Sequence, residues 1–335
     1  MTRIGIPRAL LYYKYYPMWL TFLKEMGACV VVSGQTNPRI IKQGAARVVC
    51  DTCLPLKAYV GHVISLTGNC DSIFIPILRS TGKKVLNCSR FLGLPDMIRA
   101  VVPEAPLILE IEFDLNRGQG YLYRQVYELG RYFSENPVRI AAAAKQAWKV
   151  HLKYQELRAA NSLTYNESID IIDGESKTEM HNSQAHNNGE ELIVIGLIGH
   201  PYILCDEQVN HRLLERMNKF DVIFLTPEML TTEQKQNGIA SITHDTYWVS
   251  EEEVIGTGAY FLENCVDGII GAMAFGCGPD SLMMHLIHEK ARSAGVPFMC
   301  LTFEEHTAEV GIVTRLEAFL DMVRHRKRER RHKCA

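Results

Sequence analysis

The stretch Gly268–Leu301, GIIGAMAFGCGPDSLMMHLIHEKARSAGVPFMCL, decides the fold. It opens with a short apolar run, Gly268–Ala272, that reads as a buried strand. A Gly-Cys-Gly-Pro-Asp turn follows, then a helical pattern over Ser281–Ala294 and a second buried strand at Pro297–Leu301. Two buried strands joined by a helix make a crossover unit, and a sheet built from such units is parallel and covered by helices.

Working upstream, the same alternation predicts strands at Leu192–Ile198 and Asp221–Leu225, with helices near Gln208–Met217 and Glu251–Asn264. Downstream, a last helix is expected from about Thr314. The first part of the chain repeats the pattern. Strands are expected at Arg3–Ile6, Ala28–Ser33, Ser72–Ile77 and Leu107–Glu112, with a short run at Arg47–Val49. Helices are expected near Pro17–Met26, Pro38–Gly44, Pro55–Leu66 and Pro95–Val101.

Between these halves lie two long helical patterns, Gln119–Phe133 and Val138–Ala160, the second started by Asn136 as cap and Pro137 in the first turn. Ala141, Ala144, Trp148 and Leu152 fall on one face and read as a packing stripe. Residues 166–190 are polar, with six acids against one lysine and no sustained apolar period, which reads as a linker or mobile loop. The expected architecture is therefore α/β, with two Rossmann-like or flavodoxin-like open-sheet domains. They divide as a first domain at 1–118, a helical brace at 119–165, a flexible acidic linker at 166–190, a second domain at 191–323 and a basic tail at 324–335.

A chain of 335 residues with 47% hydrophobic content suits two packed cores. A net charge of -2 gives no electrostatic footprint for nucleic acid or an anionic membrane. No apolar run approaches the roughly 18 residues of a membrane span, and the N-terminus runs straight into a strand, so a cytoplasmic protein is expected. The tail Arg324–Lys333 carries seven Lys or Arg against one Glu and reads as a solvated, frayed helix end.

Ten cysteines in such a chain exceed what a reducing compartment uses for disulfides. Cys29, Cys70, Cys265 and Cys300 lie at strand edges or within apolar runs and read as small core residues. Cys53, Cys88 and Cys277 differ. Each sits in a loop that follows an apolar run and leads into a helix start, where open parallel sheets place ligands. Helix N-termini stabilise anionic groups, and Gly276 and Gly278 would let backbone approach a bound group closely. The three cysteines are expected to converge at the seam between the domains as metal ligands. Cys50 and Cys53 also form a C-x-x-C; a redox dithiol would need the pair directly after the first strand of its fold, which is not the case, so pattern alone leaves an iron-sulfur cluster and a zinc site completed by Cys88 and Cys277 open.

Seven segments carry a family resemblance: RIGIPRALLYYKYYP (Arg3–Pro17), CLPLK (Cys53–Lys57), GHV (Gly61–Val63), FLGLPDMIR (Phe91–Arg99), GHPY (Gly199–Tyr202), FGCGPDS (Phe275–Ser281) and EEHTAEVG (Glu304–Gly311). Together, over about residues 3 to 325, they resemble the activase-related group of 2-hydroxyacyl-CoA dehydratase proteins, kin of benzoyl-CoA reductase and double-cubane-cluster proteins. The resemblance implies Cys53, Cys88 and Cys277 as ligands of a 4Fe-4S cluster that leaves one iron open. Cys50 and Cys205 stand where the pattern does not expect cysteine, as chance small residues or extra ligands of an 8Fe double-cubane cluster. It also implies an ATP-dependent activase of the actin and sugar-kinase type as partner, and an acyl-CoA or other small molecule as substrate. A dimer is expected.

Around the cysteines, Lys57 is a candidate to neutralise cluster charge. His62, His200 and His306 are candidates for proton transfer, because imidazole titrates near neutrality. Glu304 and Glu305 are candidates for a substrate or proton path, and Asp280 for the cap of the helix after Cys277. The chain has neither G-x-x-x-x-G-K-[ST] nor a strand-linked G-x-G-x-x-G, so no nucleotide site of its own is expected. The leading expectation is a dehydratase or reductase component taking low-potential electrons. The alternatives are a non-catalytic cluster carrier and a zinc-structured binding protein.

Overall fold

A computed structural model describes residues 1–82, 85–174, 192–243, 247–264 and 266–334. The chain divides into two compact units, one of residues 1–157 and 245–250, the other of residues 158–244 and 251–335.

The first unit holds a four-stranded sheet of β1 (Arg3–Ile6), β2 (Cys29–Val32), β3 (Ser72–Ser80) and β4 (Leu107–Asp114) in the order β2-β1-β3-β4, all neighbours parallel. Its connections are α1 (Tyr12–Glu25), α2 (Pro38–Ala45), α3 (Leu54–Leu66), α4 (Ser89–Leu92) and α5 (Leu94–Val101). The expected strand at Arg47–Val49 is a turn leading to α3. Helices α2 and α3 touch backbone to backbone. A Cβ on Gly44 would fall 1.8 Å from the Lys57 carbonyl oxygen, and one on Gly61 would fall 2.0 Å from that of Ile40.

Helix α1 begins five residues before its expected start and runs through Pro17. Proline has no N–H to give the carbonyl four residues back, which here is Tyr13. The buried Tyr154 hydroxyl donates to that carbonyl at 2.8 Å, so the interruption is repaired from outside the helix. Tyr154 lies on α7 (Pro137–Asn161), which follows α6 (Gln119–Arg131). The buried face of α7 is Ile140, Ala143, Ala147, His151 and Tyr154, while Trp148 and Leu152 are exposed. The packing stripe is thus rotated by about one residue from the expected one, toward the face whose tyrosine finds a partner.

The second unit repeats the topology with β5 (Ile193–Gly199), β6 (Val222–Leu225), β7 (Gly268–Ala274) and β8 (Phe298–Phe303) in the order β6-β5-β7-β8, again all parallel. A linker expected from residue 166 instead begins as α8 (Tyr165–Asp173). The Thr164 hydroxyl and the Glu167 carboxylate satisfy each other's backbone amides there, and Tyr165, Ser168 and Ile169 are buried. The remainder of the expected linker, 175–190, lies outside the described residues.

The other helices of this unit are α9 (Pro201–Leu204), α10 (Leu213–Lys219), α11 (Thr232–Ala240), α12 (Thr257–Glu263), α13 (Gly278–Ser293) and α14 (Glu309–Cys334). A π-helical turn, Glu252–Gly256, precedes α12. It packs closely on α11, where a Cβ on Gly238 would meet the Gly256 carbonyl at 2.1 Å. The basic tail is a continuation of α14 rather than a frayed end. Arg324 donates to the Phe220 carbonyl, Lys327 to the Leu192 carbonyl at 3.0 Å and to Asp267 at 2.7 Å, and Arg330 to the Gly295 carbonyl at 2.6 Å. Spacing of three residues puts these cations on one helix face, against the segments that lead into β5, β6, β7 and β8.

Candidate functional site

All three candidate ligands occupy the N-cap position of a helix: Cys53 for α3, Cys88 for α4 and Cys277 for α13. Each is half-buried. Pro55 and Pro279 stand in the first turns of α3 and α13, where a missing N–H costs nothing. Cys88 follows the third strand of the first sheet and Cys277 the third strand of the second, so they are topological equivalents. Cysteine is not among the side chains that cap helices well, which makes its presence at three N-caps a matter for chemistry.

Local contacts hold each loop. In the first unit Arg90, in α4, donates to the Asp51 carbonyl at 3.4 Å, tying the turn after Cys88 to the loop before Cys53. Lys57 is buried, and its ammonium donates to the Cys50 carbonyl at 2.9 Å. Cys50 itself is exposed beside Asp51. Leu86 bonds to the Tyr247 carbonyl and accepts from the Val249 amide, so a segment from far along the chain straps the approach to Cys88. In the second unit the Phe275 amide donates to the Phe303 carbonyl at 2.9 Å, joining the Cys277 turn to the end of β8. Gly276 takes φ +76°, a conformation glycine adopts without strain. A Cβ on Gly278 would meet no protein atom within 4 Å.

Asp280 does not cap α13. It is buried and accepts from Nε2 of His200 at 2.7 Å, while Nδ1 of His200 faces Glu253 at 2.8 Å. Burial works against a charged imidazole, but Asp280 and then Glu253 outweigh it and raise the His200 pKa to about 10. His200 is therefore a buried cation locked between two carboxylates, unsuited to exchanging protons near neutrality. Glu253 was not distinguishable in a run of three glutamates. The π-helical turn is what brings it onto His200.

His62 has the opposite environment. It is fully buried on α3, with Nδ1 2.9 Å from the Ser33 hydroxyl and Nε2 2.9 Å from the Thr36 hydroxyl. Ser33 also accepts the Arg8 amide at 2.8 Å. Burial, helped by the Arg8 charge, lowers the His62 pKa to about 4, so this ring is neutral. Hydroxyls serve either tautomer.

The last loop is open. His306 is 82% exposed with Nε2 3.3 Å from Glu305, and the Glu304 amide donates to the Thr307 hydroxyl at 2.9 Å. Of the surplus cysteines, Cys205 is buried at the end of α9 with its thiol 3.8 Å from Glu228. Burial, and then the Glu228 charge, push that thiol well above the usual range. Cys70 is buried as expected and Cys300 is half-buried. Cys29 is exposed, because it opens the edge strand β2. Cys265 lies outside the described residues. Among the described residues, no group of three or more His, Cys, Asp or Glu is arranged to hold a metal ion.

Residues 3–230 match the family described as CoA enzyme activase uncharacterised domain. The chain belongs to this family. The matched segment contains Cys53, Cys88, His62 and His200 and stops short of Cys277 and the Glu304–His306 loop. No curated protein matches the chain. Among the described residues, no helix is long and apolar enough to cross a membrane.

Proposed function

We propose that this activase-domain protein is an iron-sulfur component of the 2-hydroxyacyl-CoA dehydratase or reductase type, with Cys53, Cys88 and Cys277 as cluster ligands. The observation that carries the reading is the placement of all three cysteines at helix N-caps, with Cys88 and Cys277 each following the third strand of its sheet. Partial positive charge at a helix N-terminus favours the thiolate, the form that binds iron. Such a cluster would supply low-potential electrons and, with three protein ligands, one iron open to a substrate oxygen. Neither unit alone offers the full set: Cys53 and Cys88 belong to the first and Cys277 to the second.

Around these thiols the protein's own residues fix position. Lys57 pins the Cys50–Cys53 loop through the Cys50 carbonyl, and the His200–Asp280 bond pins the first turn of α13. Proton delivery falls to the exposed Glu304–His306 loop, since both buried histidines are held in one charge state. The electron donor in this reading is an ATP-dependent activase, and the acceptor is an acyl-CoA.

Anaerobic purification with iron and acid-labile sulfide analysis tests the reading. About four irons per chain with matching sulfide are expected, or about eight for a double cubane, with loss in Cys277→Ser. Zinc without sulfide overturns it. An acyl-CoA that speeds reoxidation of the reduced protein separates an enzyme from a carrier.

A further inference from the structure

The first unit contains a small cavity that the cysteine chemistry does not use. It lies beside the carboxyl end of β1 and the middle of β3, the neighbouring strands whose connections leave on opposite sides, and open sheets bind ligands at such a junction. Its walls include Ile6, Leu10, Phe74, Leu94, Trp19 and Tyr59, and no charged side chain lines it. Two of the lining residues carry a buried polar atom without a partner. Nε1 of Trp19 and the hydroxyl of Tyr59 are both buried without a hydrogen-bond partner, on residues only 6% and 3% exposed.

Leaving such a group unpaired costs on the order of 1–3 kcal/mol, and finding two on residues that line one cavity points to a shared partner. Trp19 only donates, so the occupant accepts. The absence of a facing charge among the lining residues excludes an anion, whose desolvation nothing would offset. Space for the centre of a water molecule amounts to about 10 Å³, close to what a single water requires. Leu10, in the wall, is held at φ +53°, a conformation that a leucine adopts only when its surroundings impose it.

We propose that this cavity is a binding site for one uncharged oxygen acceptor, a water or the hydroxyl of a molecule no larger than methanol, held jointly by Nε1 of Trp19 and the hydroxyl of Tyr59. The chain has three tryptophans, and Trp148 and Trp248 are far more exposed than Trp19. In a Trp148→Phe, Trp248→Phe background, ¹⁵N-tryptophan labelling therefore leaves one indole N–H resonance.

That resonance is expected downfield, as for a hydrogen-bonded indole, with a cross-peak to the water signal. Titration with methanol distinguishes the two sources: a cross-peak to the methanol signal assigns the seat to a hydroxyl, and persistence of the water cross-peak assigns it to water. Tyr59→Phe is expected to shift the indole resonance and raise the unfolding constant about fivefold, the effect of losing a made hydrogen bond. An indole at the unbonded position, unmoved by Tyr59→Phe, overturns the proposal. So does a Tyr59→Phe protein as stable as its parent or more so, the result for a hydroxyl that had no partner.

Discussion

The two sheets share one strand order and each carries a buried histidine near its carboxyl edge, yet the two rings are held in opposite states. His62 in the first unit is neutral between two hydroxyls, and His200 in the second is a cation between two carboxylates. The difference shows that the fold places a histidine without deciding its charge. Partners do that. Burial depresses both pKa values, and only where Asp280 and Glu253 face the ring is the effect reversed. Neither ring is free to shuttle protons at neutral pH, so both hold loops instead.

Removing the rings breaks the comparison most sharply. His200→Leu strands two buried carboxylates without their cation and is expected to cost about 3–5 kcal/mol in denaturant unfolding. His62→Leu removes two hydrogen bonds to hydroxyls and is expected to cost about 1–3 kcal/mol. Equal losses would mean that His200 is not charged in the folded protein.

Acid separates the two next. The folded pKa of His62 lies near 4, below the ordinary value of about 6.5, so the unfolded chain binds the extra proton first. Its contribution is present above pH ~6.5 and is lost as pH falls toward 4, about 3 kcal/mol in all. His62→Asn, which keeps hydrogen bonding without the titration, should flatten that acid limb. An acid limb unchanged in this variant would assign the loss to carboxylates elsewhere.

His200 gives the mirror image. Its folded pKa of about 10 is raised, so its contribution is complete below pH ~6.5 and declines as pH rises through 10. By pH 8 the loss should reach about 2 kcal/mol relative to pH 6.5, and His200→Gln should abolish the slope. A slope that survives the substitution would remove His200 as its source.

Most of the architecture is readable from short apolar runs because a buried parallel strand is hydrophobic on both faces. Strand β1 coincides with its expected bounds, and β5, β6 and β7 start within one residue of theirs. Helix α11 was invisible because TEQKQNGIA has almost no apolar period. Its existence rests on the Thr231–Gln234 capping box and on contact with the π-helical turn. The start of α1 was hidden by Pro17, since the tyrosine that repairs the helix lies 141 residues away.

The site was legible to a similar depth. Glycine, proline and cysteine at loop-to-helix junctions marked Cys53, Cys88 and Cys277, and all three are N-caps. The charge states of His62 and His200 were not legible, because Ser33, Thr36, Glu253 and Asp280 come from other elements. Sequence distance hides such partners even when each residue is individually noticed.

The equivalent cysteines of the two sheets offer the smallest and most specific test. Serine is a far better N-cap than cysteine, because its oxygen accepts the orphan amides of the first turn. Cys277 heads α13, a helix of 16 residues, whereas Cys88 heads α4, of only 4. In metal-free protein, Cys277→Ser should therefore stabilise by about 0.5–1 kcal/mol, with a rise in Tm, and Cys88→Ser should change little. The buried Cys70→Ser, as control, should destabilise, since the smaller hydroxyl fills less of a packed site. A gain at Cys277 would show that the thiol stands there at a cost to the apo fold, as a ligand does. A loss as large as that of Cys70→Ser would mean that Cys277 is a packing residue, and the equivalence of the two sheets would then be one of topology alone.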